Sequence, residues 1–170
     1  MNFDKAFELV LGHEGGLSMD KKDPGNWTGG KVGVGILKGT KYGISALAYP
    51  KEDILNLTVE KAKEIYKMDY WIKSGADRIP NHLSYIHFDC AVNQGVPTAV
   101  KILQRTAKVA EDGVIGAITI EKSKNVTVAM YAMNRMWNYI AIIISNPKMI
   151  VYIKGWFNRI YSIVSYIDSK

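Results

Sequence analysis

Turn-forming residues in this chain are concentrated in one interval. Between Ser18 and Gly43 lie Asp23-Pro24-Gly25, Gly29-Gly30, Gly33, Gly35, Gly39 and Gly43, residues that admit tightly turned and left-handed backbone. On either side, apolar residues recur every three or four positions, the period of an amphipathic helix. That segregation predicts a mainly α (α+β) fold with one small β-hairpin or sheet set between the first helix and the rest. Apolar residues make up 48% of the 170, enough for a packed core. No linker, internal repeat or low-complexity tract interrupts the pattern.

The first helix is expected to start at Asn2, a good N-cap. Phe3, Ala6, Phe7, Val10 and Leu11 share one stripe, and Glu14 continues it to the last turn before Gly15-Gly16. Val32, Val34 and Ile36 alternate as a short strand would. Residues 47–57 read as a loop or short helix around Pro50. A helix from Thr58 to about Ile72 would turn Val59, Ala62, Ile65, Tyr66 and Met68 inward. Pro80 breaks the chain, and Asn81 is expected to cap a helix to about Asn93. The next helix begins with Pro97 in its first turn and points Val100, Leu103 and Ala107 inward. After a turn at Asp112-Gly113, two long helices close the chain. They are expected over 126–145, capped by Thr127, and 148–167, with Ile153, Trp156, Phe157 and Ile160 on one face. Trp71, Trp137 and Trp156 sit on helical stripes and read as core.

Charge and cysteine usage narrow the function classes. A net charge of +6 favours a polyanionic partner: nucleic acid, an anionic membrane face or an acidic wall polymer. Only four of the basic residues are arginines and they are scattered, so base reading has no support and no nucleic-acid partner is expected. The one cysteine, Cys90, excludes an intrachain disulfide and suits a reducing cytoplasm. Asp4, Lys5 and Glu8 interrupt any apolar leader, so no signal peptide is expected. The longest apolar run, 139–144, is far too short to span a bilayer, which predicts no stable membrane insertion.

Two carboxylates stand out chemically. Glu14, on an apolar stripe at the negative end of a helix dipole, has two reasons to hold a proton. Asp23, in an Asp-Pro-Gly turn, has water and backbone N–H groups to keep it ionised. A carboxyl pair pushed toward opposite protonation states is what acid–base cleavage of a glycosidic bond requires. The rival chemistry is weaker. His82, His87 and Cys90 match no strong zinc spacing, and Cys90 among Ile86, Phe88 and Val92 reads as a core thiol, so no metal or cofactor is expected. Tyr42, beside Gly43, would either stack on a sugar ring or pack under its loop, and Trp27 is open between the same roles. Asn93 and Gln94 would hydrogen-bond an acetamido group, with helix capping by Asn93 an equal alternative. Lys61, Lys63, Lys67 and Lys73 read as a solvated face.

The residues Phe7 to Gly16, Asp23-Pro24-Gly25 and Thr40-Lys41-Tyr42-Gly43-Ile44 together resemble the N-acetylmuramidases of glycoside hydrolase family 108. Their motif runs E-G-G, then N-D-P-x-D-P-G-G-x-T-x-Y-G-I. The likeness continues through Glu64-Ile65-Tyr66, Asp69-Tyr70-Trp71, Phe88-Asp89 and Ala91-Val92-Asn93. Residues 99–104, 112–116 and 154–159 resemble the predicted peptidoglycan-binding region that follows in such proteins. Two departures are plain: Asn26 to Lys38 is inserted where the family has a short connection, and Leu17 stands where an aromatic is usual. The resemblance implies a lysozyme-like catalytic region over 1–93 and a helical peptidoglycan-binding-like region over 94–170, packed as one compact monomeric unit. It implies cleavage of the β-1,4 bond between N-acetylmuramic acid and N-acetylglucosamine, with Glu14 as general acid. Asp23 and Thr40 would be the other catalytic residues, and Tyr42, Asn93 and Gln94 would bind the glycan. It also implies a phage endolysin, made in the host cytoplasm and released to the wall through a separate membrane pore. The rival readings are a non-catalytic wall-binding protein and a lytic transglycosylase, which would use one acid/base glutamate and leave 1,6-anhydro ends.

Overall fold

The computed structural model describes residues 1–12 and 16–169, so Glu14, and the expected helix end at Gly15, lie outside the described residues. Among the described residues seven α-helices and one two-stranded sheet follow in the order α1 (Phe3–Leu11), β1 (Thr40–Lys41), β2 (Ile44–Ser45), α2 (Val59–Tyr66), α3 (Asn81–Gln94), α4 (Val96–Thr106), α5 (Ala117–Ser123), α6 (Val128–Ser145) and α7 (Ile153–Asp168). The strands pair antiparallel, Thr40 opposite Ser45 and Lys41 opposite Ile44. The mainly α class with a small β element is thus as expected. By packing, the chain divides into Phe7–Lys67 and a larger unit of Met1–Ala6 with the chain from Met68 onward. α3 makes its contacts with α4, α6 and α7 and so belongs to the larger unit.

In the smaller unit the core is built from Phe7, Val10, Ile44, Ile54, Ala62 and Ile65, all buried. The Phe7 ring meets Tyr66 edge-on, centroids 5.5 Å apart. α2 is started by Thr58, whose hydroxyl oxygen accepts the Lys61 amide at 3.2 Å; this kind of cap is worth about 1 kcal/mol. At its end the α-helix passes into a π-helical stretch, Lys67–Ile72. The extra residue per turn leaves Met68 exposed, contrary to the α-helical extrapolation, while Trp71 is buried as its stripe predicts; Val59, in the first turn of α2, is exposed as well.

In the larger unit α3 is the axis. Every residue from Leu83 to Ala91 is buried, which forces three polar side chains, Ser84, His87 and Asp89, into the interior. Unpaired, each would cost several kcal/mol; each is paired. Asp89 faces two arginines, Arg135 Nη2 at 2.7 Å from Oδ2 and Arg159 Nε at 2.8 Å from Oδ1. Burial by itself would raise the Asp89 pKa, but Arg135, then Arg159, outweigh it and hold the carboxyl below the usual range. His87 donates or accepts at both ring nitrogens, with the Tyr131 hydroxyl at 2.9 Å and the Ser74 carbonyl at 3.0 Å. Since a carbonyl only accepts, Nε2 carries the proton and Nδ1 accepts from Tyr131. Phe3, Trp71 and Phe88 form an edge-to-face aromatic cluster at 5.3–5.9 Å between centroids.

Several local expectations are revised. Asn2 does cap α1, its Oδ1 accepting the Lys5 amide, and Thr127 caps α6 through the Met130 amide. Asn81, however, is the first residue of α3 and Pro80 precedes it with no side-chain cap. α5 was not anticipated: seven residues starting after Gly116, with no capping side chain, carry too little periodicity to register. Pro147–Tyr152 is a 3-10 helix, so α7 starts five residues later than its pattern suggests. Trp137, assigned to the core by its stripe, is exposed.

Two outcomes follow from the interior polar groups. Asp89→Ala leaves two guanidinium groups without their anion and is expected to lower stability by about 3–5 kcal/mol, read as a drop in the urea midpoint. Burial depresses His87 to about 4 from 6.5, so the unfolded chain takes up that proton first as pH falls. Its contribution is complete above pH 6.5 and is lost as pH falls toward 4. A loss of about 2 kcal/mol between pH 7 and pH 5 is expected, and His87→Gln should flatten that part of the urea-midpoint profile.

Candidate active site

The interval that carries the motif folds around one buried side chain, Asn26, which has no exposure. Asp23 N-caps the short 3-10 turn Pro24–Asn26, its Oδ1 accepting the Gly25 amide at 2.8 Å. That turn aims Asn26 inward. Its Nδ2 donates to the Asp20 carbonyl at 3.0 Å, and its Oδ1 accepts the Thr40 hydroxyl at 2.7 Å. Its backbone carbonyl accepts two amides, Lys38 at 3.0 Å and Gly39 at 3.1 Å. One residue therefore ties the Asp23 turn to the strand that bears Thr40.

The same bonds explain the insertion. Lys38 and Gly39 return to Asn26, Trp27 and Leu37 form a β-bridge, and the Thr28 and Gly29 amides donate to Ile36 and Val34 carbonyls. The segment closes on itself at the neck, so thirteen residues are accommodated while Thr40 stays beside Asn26. The expected strand at Val32–Ile36 is absent: Gly33 and Gly35 adopt positive φ, and Val32, Val34 and Ile36 are exposed. Period two needs a partner strand to become a strand, and here the nearest backbone is only the other side of a turn. Trp27 donates its indole N–H to the Lys21 carbonyl, which makes it a pin of the neck.

Thr40 is paired on both sides. It exchanges two backbone bonds with Ser18 (2.8 and 3.0 Å) and lies opposite Ser45. Tyr42 and Gly43 connect the strands, both with positive φ (52° and 73°), as a type I′ turn requires. A tyrosine in that conformation is strained. It is held by the Tyr66 hydroxyl, which donates to its carbonyl at 2.9 Å, and its ring lies 5.4 Å from the Lys41 ammonium. Lys38 and Lys41 reach in turn to the carbonyls of Pro50, Glu52 and Leu55, stapling the following loop to the hairpin.

The structure thus brings Asp23 and Thr40 to one hub, with Tyr42 two residues further on, in the turn that follows β1. Asn93 and Gln94 belong to the larger unit. There Asn93 Oδ1 accepts the Tyr139 hydroxyl and Gln94 Oε1 accepts from Asn138 at 3.5 Å, so both amides brace α3 against α6. Among the described residues no three His, Cys, Asp or Glu side chains converge, and His82 is bonded to the Val126 carbonyl. Sequence reasoning gave Asn26 no role. An asparagine inside a glycine-rich loop carries no burial signal, and only its place directly after Asp-Pro-Gly could have flagged it.

Comparisons now bear on this geometry. The sequence profile of Glycosyl hydrolase 108 matches residues 7–95. Among solved structures, that of Brucella abortus SagA superposes with a TM-score of 0.77 at 28% identity, covering 98% of this chain and 94% of that one. The likeness spans both units and supports a mainly α, lysozyme-like fold. No curated protein matches the chain.

The neck supplies a direct check. A Cβ at Gly39, whose φ is +85°, would lie 2.5 Å from the Ser18 carbonyl oxygen. Gly39→Ala is expected to break the Ser18–Thr40 pairing and cost about 1–3 kcal/mol, measured by chemical denaturation. A family-profile match over more than half of the chain, across the Asp23 turn, the Asn26 hub and the Thr40 hairpin, places this protein in the glycosyl hydrolase 108 family.

Proposed function

We propose that the chain is an N-acetylmuramidase hydrolysing the β-1,4 bond between N-acetylmuramic acid and N-acetylglucosamine in peptidoglycan. Membership of a glycosyl hydrolase family supports hydrolysis of a glycan; the bond and the residue roles are our reading. Glu14 gives its proton to the departing glycosidic oxygen as the C1–O bond breaks. Asp23 takes a proton from the attacking water, whose oxygen bonds to C1 from the opposite face. This is the inverting arrangement.

The observation that carries the reading is the hydrogen bond from Thr40 to Asn26. A hydroxyl whose proton is already directed at a buried amide presents only lone pairs elsewhere. It can hold a water by one hydrogen, leaving the other for Asp23 and a lone pair for the sugar carbon. Asp23 keeps Oδ1 on the Gly25 amide, which fixes its rotamer and leaves Oδ2 to act as the base. Tyr42 and the amides of Asn93 and Gln94 remain our candidates for glycan contacts. In the same proposal the protein serves lysis and reaches the wall through a pore made by another protein.

Clearing of permeabilised cells and mass spectrometry of purified peptidoglycan test this together. Glu14→Gln should lose at least about a hundredfold in rate with an unchanged melting temperature. Thr40→Val should lose roughly ten- to a hundredfold through misplaced water. Products should carry reducing N-acetylmuramic acid ends. Full activity of Glu14→Gln, 1,6-anhydro ends, or wall binding with no cleavage would each overturn the assignment.

A further inference from the structure

α6 is an unusual surface helix. Its eighteen residues include one charged side chain, Arg135, and that one is buried against Asp89. Tyr131, Ala132, Arg135 and Tyr139 form its buried face. The opposite face is also apolar. Met130, Met133, Trp137 and Ile144, spaced three, four and seven apart, lie along one stripe of about 21 Å. Trp137 is 59% exposed and Ile144 76%. A helix that is apolar all round is ordinarily covered on every side.

The stripe continues beyond the helix. At the corner between α6 and α7, Ile150, Val151 and Tyr152 are exposed, Val151 to 73%. On α7, Tyr161 is 75% exposed beside a groove of about 520 Å³ that it lines with Met133, Met136 and Phe157. The corner is held rigidly. Tyr152 stacks on Trp156, and Trp156 stacks on Tyr139 at 4.5 Å, next to the Arg135 guanidinium.

Charge says what covers this face. From residue 122 to 167 there are six basic residues and no aspartate or glutamate. Arg135 and Arg159 are paired inside with Asp89, while Lys148 and Lys154 are exposed at the corner. A second copy laid on this corner would set lysine against lysine, since the one carboxylate on α6 or α7, Asp168, stands about 21 Å along α7 from Lys154. An apolar stripe edged by lysines, with Trp and Tyr supplying polar tips, matches an anionic lipid headgroup layer. We propose that the α6–α7 face is a peripheral membrane-binding surface, with α6 lying along a bilayer that contains anionic phospholipid. Among the described residues no helix is long and apolar enough to cross a membrane; the contact is interfacial and reversible. The proposal is independent of the catalytic reading.

Co-sedimentation of the whole chain with vesicles tests it. Binding is expected to phosphatidylglycerol/phosphatidylethanolamine vesicles, at least tenfold weaker to phosphatidylcholine alone, and weakened by salt. Trp137→Ser with Ile144→Asn should lose binding at least tenfold, and Lys148→Glu with Lys154→Glu by more than fivefold per lysine. Both variants should keep the wild-type melting temperature. Hydrolysis of soluble glycan fragments should be unchanged in both, which separates this test from the catalytic one. Absence of vesicle binding, equal binding to neutral vesicles, or a concentration-dependent dimer abolished by Trp137→Ser would overturn it. So would binding to purified wall sacculi that depends on Trp137.

Discussion

A single buried carboxylate organises the larger unit. Asp89 sits at the centre of α3, and the two arginines that reach it come from α6 and α7. Three helices therefore converge on one charge. Such a cluster adds little net free energy, because desolvation of the ions offsets most of their attraction. Its effect is on arrangement: an apolar α3 could rotate or slide against its neighbours at small cost, whereas a displaced Asp89 would strand two guanidinium groups. The stacked Tyr139, Trp156 and Tyr152 rings extend the same constraint outward. That constraint holds the α6–α7 corner, and with it the apolar stripe, in one shape.

The smaller unit solves the same problem with a neutral group. Asn26 bonds through its side-chain amide to Asp20 and Thr40, and through its carbonyl to Lys38 and Gly39. The segment has little apolar content to pack, so a hydrogen-bonded hub takes the place of a core. This separates two tasks along the chain. The neck at Trp27 and Leu37 closes off the inserted residues, while the turn at Asp23 and the hydroxyl of Thr40 stay joined at Asn26. Strain at Tyr42 is held in the same hairpin by Tyr66, consistent with tertiary bonds setting the geometry of the strand against local preference.

Much of the helical scaffold was legible. Asn2, Thr58 and Thr127 cap where a short polar side chain precedes an apolar period, because capping is a local interaction. Pro97 opened α4 for the same reason. The misses share a cause as well. Met68 turned outward because a π-helical stretch shifts the phase by one residue, and nothing local announces it. Val32, Val34 and Ile36 alternate without a partner strand to pair with. Trp137 follows a helical stripe, but α6 has two such stripes and only packing selects the inner one.

The sequence by itself determined the class of fold, the glycine-rich site for an irregular hairpin and the position of the Asp23 and Thr40 motif, since periodicity, turn chemistry and short motifs act within a few residues. Tertiary structure alone decided which polar groups go inside. Asp89, Arg135, His87 and Asn26 carry no local mark of burial, because groups that make it tolerable stand far along the chain, up to 70 residues away. It also decided which apolar faces stay outside, since exposure is what remains after distant elements have packed.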